Sequence, residues 1–156
     1  MHDWKRFPEL ADHELDIYYF QSPHKQIFED FHAKVVKVHD GDTVTLRWSE
    51  RDFDFPLRFI NIAAPEMREP DKKTPIQAGQ ESQQWLENKL LDQEVLIKIN
   101  PYNRVEKWGR LLGNVIFGGM DIGEESIFAG KSVPWAERHD GEIKDFSKEL
   151  MSNSIK

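Results

Sequence analysis

Two alternating runs joined by an aspartate–glycine step are the strongest constraint in this sequence. From Ala33, Val36 and Val38 alternate with Lys37, and then Val44, Leu46 and Trp48 alternate with Thr43, Thr45 and Arg47. A period of two belongs to strands, because successive side chains of an extended chain leave on opposite faces. Asp40-Gly41-Asp42 lies between the runs, and an Asp-Gly step between alternating segments marks a hairpin, so this stretch reads as two strands and a turn. A third run, Phe53 to Ile62, alternates until Ala63-Ala64-Pro65 interrupts it. Pro56 within it points to an edge position or a bulge, since proline cannot donate to a ladder.

Beyond this, residues 66–76 are charged and contain Pro70 and Pro75, the pattern of a surface loop. Gln77 to Leu91 sets Ala78, Ser82, Trp85, Leu86 and Leu90 at helical spacing, which predicts an amphipathic helix. Val95, Ile97 and Ile99 alternate as a strand, Pro101-Tyr102-Asn103 breaks it, and Leu111 to Phe117 reads as a buried strand followed by a Gly118-Gly119 turn. A short helix from about Asp121 to Ala129 is stopped by Gly130 and Pro134. Three strands, a helix, two strands and a helix suit a mainly β fold, a small five-stranded Greek-key barrel with helices packed at one end. Trp48, Trp85 and Phe59 are expected in its core.

With 156 residues the expectation is one domain and terminal extensions: an arm over 1–32 packing on the barrel, a domain over 33–135 and a polar tail over 136–156. The arm holds an apolar cluster, Ile17-Tyr18-Tyr19-Phe20, and then Ser22-Pro23, which reads as a helix start. The chain has no cysteine, which excludes disulfide scaffolds, thiol nucleophiles, zinc ribbons and iron–sulfur sites. No apolar run approaches the ~20 residues that span a bilayer, and the N-terminus lacks the ~7–15-residue apolar stretch of a signal peptide. The expectation is a cytoplasmic protein with no membrane partner.

The formal charge is −7, the wrong sign for a bulk polyanion binder. The arm carries 3 basic and 7 acidic residues, whereas 33–135 carries 14 and 16, so any nucleic-acid surface has to be a local patch. Phosphodiester cleavage needs a base for the attacking water, cations where the phosphorus gathers negative charge, and usually a hard metal on oxygen ligands. Asp40 and Asp42 at the hairpin, Arg58 on the third strand, Glu66 after Pro65 and Arg110 after Gly109 are candidates for these roles. Each has a plainer reading as well: a hairpin turn for Asp40-Gly41-Asp42, an ion-pair partner for Arg58, a helix cap for Glu66, a strand-entry residue for Arg110. Trp108 and Trp135, near loops, either stack on a base or pack. The six histidines show no metal-ligand spacing and read as structural or surface residues.

Three blocks, Val36-Lys37-Val38-His39-Asp40-Gly41-Asp42-Thr43, Leu57-Arg58-Phe59-Ile60-Asn61-Ile62-Ala63-Ala64-Pro65-Glu66 and Glu106-Lys107-Trp108-Gly109-Arg110, occur in the order found in the staphylococcal nuclease family, also called thermonuclease-like or SNc domains. Gly79 and Glu81 lie in the helix between them, and the chain resembles the family over about 33–135. The resemblance implies an OB-fold barrel of staphylococcal nuclease type and calcium-dependent cleavage of DNA and RNA to 3′-phosphate ends. By the same resemblance Glu66 corresponds to the proposed general base, and Arg58 and Arg110 to the pair that grips the phosphate. Asp42 corresponds to a calcium ligand, Asp40 to an acidic residue beside the metal, and Ala64 to the position whose backbone carbonyl coordinates it. Lys107 and Trp108 resemble the lysine and aromatic pair that hold the nucleotide's terminal phosphate, with Trp in place of the usual Tyr.

Ala63 departs from the pattern, standing where the family carries its second calcium-binding carboxylate. A methyl group cannot coordinate calcium, so binding should weaken, and magnesium or manganese is also admissible. Two functions therefore stand: a metal-dependent nuclease, and an OB-type module that binds nucleic acid or protein without cleaving.

Overall fold

The computed structural model describes Glu9 and residues 26–65, 77–106 and 109–137. Strand β1 spans Phe31–Asp40, β2 spans Thr43–Arg47 and β3 spans Phe55–Phe59. The two-residue β4, Ile62–Ala63, leads out of the barrel, and helix α1 covers Gln77–Leu90. Then come β5 (Glu94–Lys98), β6 (Leu111–Phe117), β7 (Met120–Asp121), α2 (Ile122–Phe128), β8 (Val133–Pro134) and a 3-10 turn at Trp135–Glu137.

Five of these strands close on themselves. The order β3-β2-β1-β5-β6 is antiparallel at every step, and a parallel pairing of β3 with β6 shuts the seam. This is the mainly β, five-stranded barrel with two helices that the residue pattern and the resemblance predict. Closure leaves the five strands without a fully open edge. Pro56 fits because the parallel ladder to β6 begins only at Leu57.

β1 is long because two neighbours share it. Phe31 to Lys34 pair with β5, while Lys34 to Asp40 pair with β2 through two register shifts that bend the strand. The connection from α1 to β5 plugs the bend: the Asp92 amide donates to the Val35 carbonyl at 2.8 Å and the Val35 amide to the Gln93 carbonyl at 2.9 Å. Asp92 makes this turn at φ 66, a left-handed conformation that aspartate tolerates better than most residues.

Inward alternates of the strands, among them Val35, Leu46, Phe55, Leu57, Phe59, Ile97, Leu111 and Val115, fill the barrel, and α1 adds Leu86 and Leu90. The core begins before Ala33, since Ile27 and Phe31 are also buried. Phe59 is fully buried as predicted, but Trp48 and Trp85 are only half-buried at the rim, Trp48 lying 4.8 Å from the Phe31 ring. The third alternating run divides at Phe59. There the chain leaves the barrel, the Ile60 amide makes a last bond to the Gly113 carbonyl at 3.0 Å, and Ile62–Ala63 pairs instead with Val133–Pro134.

α2 starts where the sequence suggests. Asp121 caps it by accepting from the Glu124 amide at 3.0 Å, and the same carboxylate takes bonds from the Asn61 and Asn114 side-chain amides, pinning the helix to the β3–β4 corner and to β6. Among the described residues no helix is long and apolar enough to cross a membrane.

Leu57 is fully buried and belongs to both ladders that close the barrel. Leu57→Ala is expected to cost about 2–5 kcal/mol, read as a lower denaturant midpoint at unchanged slope in equilibrium unfolding.

Candidate active site

The hairpin between β1 and β2, the end of β3, the segment after β4 and the entry to β6 meet at one end of the barrel. Asp40, Asp42, Thr43, Arg58, Ala64, Pro65 and Arg110 line a single polar cavity there, of about 180 Å³. Register explains the meeting. Leu57 pairs with Leu111 across the parallel seam, so Arg58, next after Leu57 on β3, and Arg110, just before β6, flank that pair, and Arg58 also sits opposite Thr43 of the hairpin.

Asp42 organises the cavity. Its Oδ1 accepts from the Thr43 hydroxyl at 2.9 Å, and its Oδ2 accepts from the Ala64 amide at 3.0 Å and from Arg58 Nη2 at 3.3 Å. Its own amide donates to Asp40 Oδ1 at 3.1 Å, and its carbonyl accepts from the Phe59 amide at 2.8 Å. One residue thus ties three chain segments together. The carboxylate is largely buried, which raises the strength of each of these bonds relative to water.

Gly41 permits that approach. A Cβ placed there would lie 1.8 Å from Ser82 Oγ of α1 and 2.8 Å from the Ala64 Cβ, so the helix and the segment after β4 can close on the turn only if this residue has no side chain.

The two arginines are held differently. Arg58 pairs with Asp42 while its guanidinium lies 4.3 Å from the Trp135 ring, a cation–π contact. Trp135 itself is anchored by its amide, which donates to the Asn61 carbonyl at 3.0 Å. Arg110 Nε donates to Glu106 Oε1 within a tight loop in which the Glu106 amide bonds the Arg110 carbonyl at 3.0 Å and the Gly109 amide bonds the Glu106 carbonyl at 2.8 Å. Gly109 takes φ 96 to make that turn. Burial opposes the charge on Arg110, but the bond to Glu106 and the fields of Glu106, Asp42 and Asp40 outweigh it and hold the guanidinium above its usual pKa. Arg110 is therefore a permanent cation. His39 is pushed the other way, below its ordinary value, by burial and by the charges of Lys37 and Arg110, and its Nε2 bonds the Thr45 hydroxyl at 2.7 Å.

Of the sequence candidates, Asp40, Asp42, Arg58, Ala64 and Arg110 all line the cavity. Glu66, Lys107 and Trp108 lie outside the described residues, as does His139. Sequence reasoning did not single out Thr43 as a wall of the cavity, nor the pairing of Glu106 with Arg110, although an i,i+4 acid–base pair bracketing a glycine is a readable signal. Trp135, left open between stacking and packing, covers Arg58 and packs beside Ala63 and Val133.

For a cation, the described residues of the cavity offer oxygen ligands, the carboxylates of Asp40 and Asp42 and the Thr43 hydroxyl, while the Ala64 amide donates to Asp42. Hard oxygens suit calcium, magnesium or manganese. Ala63 is buried in a small apolar cluster with Val133, Ala78 and Trp135 and is not among the residues lining the cavity. No group of three or more metal-binding side chains comes together among the described residues. The donor set fits a divalent ion that keeps water or takes substrate oxygens for the rest of its shell.

Gly41→Ala is expected to destabilise the fold by roughly 1–3 kcal/mol through overpacking, and the added substitution Ser82→Gly to recover part of that loss in thermal unfolding.

Comparison with known proteins agrees with the geometry. Residues 56–151 match the family described as staphylococcal nuclease homologue. Two relatives, from Escherichia coli O157:H7 and from Escherichia coli, each named "uncharacterized endonuclease", are 28% identical over 102 residues, covering 65% of this chain and 59% of each relative. The chain thus spans about three fifths of the length of those relatives. With a barrel of the expected topology, two arginines and two aspartates around one cavity, and a family match over most of its length, this chain belongs to the staphylococcal nuclease family.

Proposed function

We propose that the protein is a nuclease, hydrolysing phosphodiester bonds of DNA or RNA to 3′-phosphate ends. One observation carries this reading above the others: Arg58 and Arg110, from segments about 50 residues apart, line the same polar cavity as two aspartates. A water has an occupied volume of about 30 Å³, so the cavity has room for a phosphoryl group with a few waters.

In this reaction the phosphate displaces water and draws on both guanidinium groups, which stabilise the extra negative charge that builds on phosphorus as the nucleophile adds. Because Arg58 is braced by Asp42 and Trp135, and Arg110 by Glu106, neither has to be ordered at the moment of reaction. Glu66 takes the proton from the attacking water. It is bonded directly to Pro65, a residue of the cavity wall, which supports that role. The water oxygen bonds to phosphorus in line with the departing 5′-oxygen, which leaves with the bonding electron pair and is protonated by solvent water, freeing the chain end.

A divalent ion would be held by Asp42 and Asp40 with the Ala64 carbonyl. When bound, it supplies charge neutralisation at the phosphate oxygens. The partner is nucleic acid, and the cytoplasm is the proposed compartment. The competing reading, a non-cleaving module, is favoured by Ala63, which removes a carboxylate that the family pattern carries.

A nuclease assay on end-labelled oligonucleotides decides between them. Glu66→Gln, Arg58→Ala and Arg110→Ala are each expected to lose at least about 10²-fold in rate while staying folded. Near wild-type turnover in all three would overturn the assignment, and binding without cleavage in calcium, magnesium or manganese would select the module.

EDTA is expected to abolish cleavage. With two carboxylates lining the cavity among the described residues, the substrate phosphate is expected to help complete the ion's shell, so the half-activating metal concentration should fall as oligonucleotide concentration rises, by reciprocal linkage. Metal activation independent of oligonucleotide concentration would refute that arrangement.

A further inference from the structure

At the root of the loop that carries Arg110 lies a second charged cluster, which the proposed reaction does not use. Glu9, far from the family-matched region in sequence, is fully buried between two arginines that are themselves almost wholly buried. Glu9 Oε1 pairs with Arg51 Nη2. Its Oε2 accepts from Arg104 Nη1 and Nη2, each at 3.2 Å, and from the Ile27 amide at 3.0 Å. The guanidinium groups also lie over aromatic rings, Arg104 at 4.1 Å from Phe28 and Arg51 at 4.6 Å from Phe55.

A buried ion cluster of this kind is poor value as a stabiliser, because removing three charges from water costs about as much as their attraction returns, and apolar residues of similar volume commonly do as well. What it does provide is a single defined geometry for the group it holds, and here that group is Arg104. Residues 104–106 and 110–112 pair with one another: the Leu112 amide donates to the Arg104 carbonyl at 2.9 Å, Val105 pairs with Leu111, and the Glu106 amide donates to the Arg110 carbonyl. Arg104 stands at one end of this unit and the Glu106–Arg110 pair at the other. These bonds link the segment that Arg104 begins directly to the segment that carries Arg110.

We infer that Glu9 is a positioning residue for Arg110, acting through Arg104: an N-terminal carboxylate, clasped by two arginines, sets the loop that delivers one of the two phosphate-binding cations. This rests on the proposed role of Arg110 for its consequence in catalysis, but the coupling itself is a property of the fold.

The test compares full-length wild type with Glu9→Gln, which keeps the shape and removes the charge, by amide hydrogen exchange well below the unfolding midpoint. The amides of Glu106, Gly109 and Leu112 are expected to exchange at least about tenfold faster as the loop opens locally, with Asp42 and the β1–β2 hairpin unchanged. In the nuclease assay kcat should fall about 10- to 100-fold, the scale of a small misplacement, with KM little altered. In an Arg110→Ala background the same change should cost nothing further, a non-additivity that a merely stabilising residue does not show. If Glu9→Gln does not fold, Glu9→Asp, which retains the charge but shortens the reach, is put through the same exchange comparison. Unchanged exchange at the three amides overturns the coupling, as does an equal loss of rate in both backgrounds. Altered exchange in a protein whose wild type cleaves nothing would uphold the coupling and discard the nuclease reading instead.

Discussion

The parallel seam between β3 and β6 is the constraint on which the rest of this molecule depends. Antiparallel neighbours can be joined by short turns, but parallel strands need a long connection, and here everything from β4 through α1 and β5 serves as that connection. Its closure does two things together. It completes the barrel around Leu57, Phe59 and Leu111, and by pairing Leu57 with Leu111 it brings Arg58 and Arg110 to the same rim. Burial of the apolar faces drives the closure, and the arginines are carried to their places by it.

Around that seam the polar contacts are local. Asp42 reaches the Thr43 hydroxyl, the Ala64 amide and Arg58, and Gly41 leaves the gap into which α1 and Ala64 fit. The cavity is therefore bordered by groups whose hydrogen bonds already restrict them. Such restriction is useful where charge develops quickly, since dipoles and cations fixed in advance need no reorganisation. Its electrostatic balance is also unusual for a protein of net charge −7: each arginine has an acidic partner of its own, yet the cavity retains Arg110 as a firmly held cation. Phosphate affinity in the proposed reaction rests on this local arrangement and not on the overall charge.

Much of this was legible in the residues. The alternation around Asp40-Gly41-Asp42, the helical spacing of Ala78 to Leu90 and the run Leu111–Phe117 each reflect a local rule and each gives its element, although β1 starts at Phe31, a register shift puts Val35 instead of Val36 in the core, and β2 ends before Trp48. Less legible were the division of the third run at Phe59 and the tiny β4–β8 pair, because Ile62 and Ala63 are apolar whichever strand they join, and the choice depends on Val133 some 70 residues later. The half-burial of Trp48 and Trp85 was hidden for a related reason: a bulky ring at the right period marks a face, but not how far that face extends under its neighbours. Of the site, the identities of Asp40, Asp42, Arg58, Ala64 and Arg110 could be picked from short blocks, whereas Trp135 over Arg58 and the clasp of Glu9 by Arg51 and Arg104 carry no local signature.

By itself, then, the order of amino acids determined the strands, the helices, the hairpin and the chemical types available for holding a phosphate, since those follow from periodicity, turn chemistry and side-chain functional groups within a few residues of one another. Only the tertiary structure decided that the barrel closes between Leu57 and Leu111, that two arginines and two aspartates share one cavity, and that Glu9 pairs with Arg104, almost 100 residues along the chain. Those are contacts between distant segments, and their geometry is set by how buried surfaces fit together, a property of the packed whole that no short window of sequence contains.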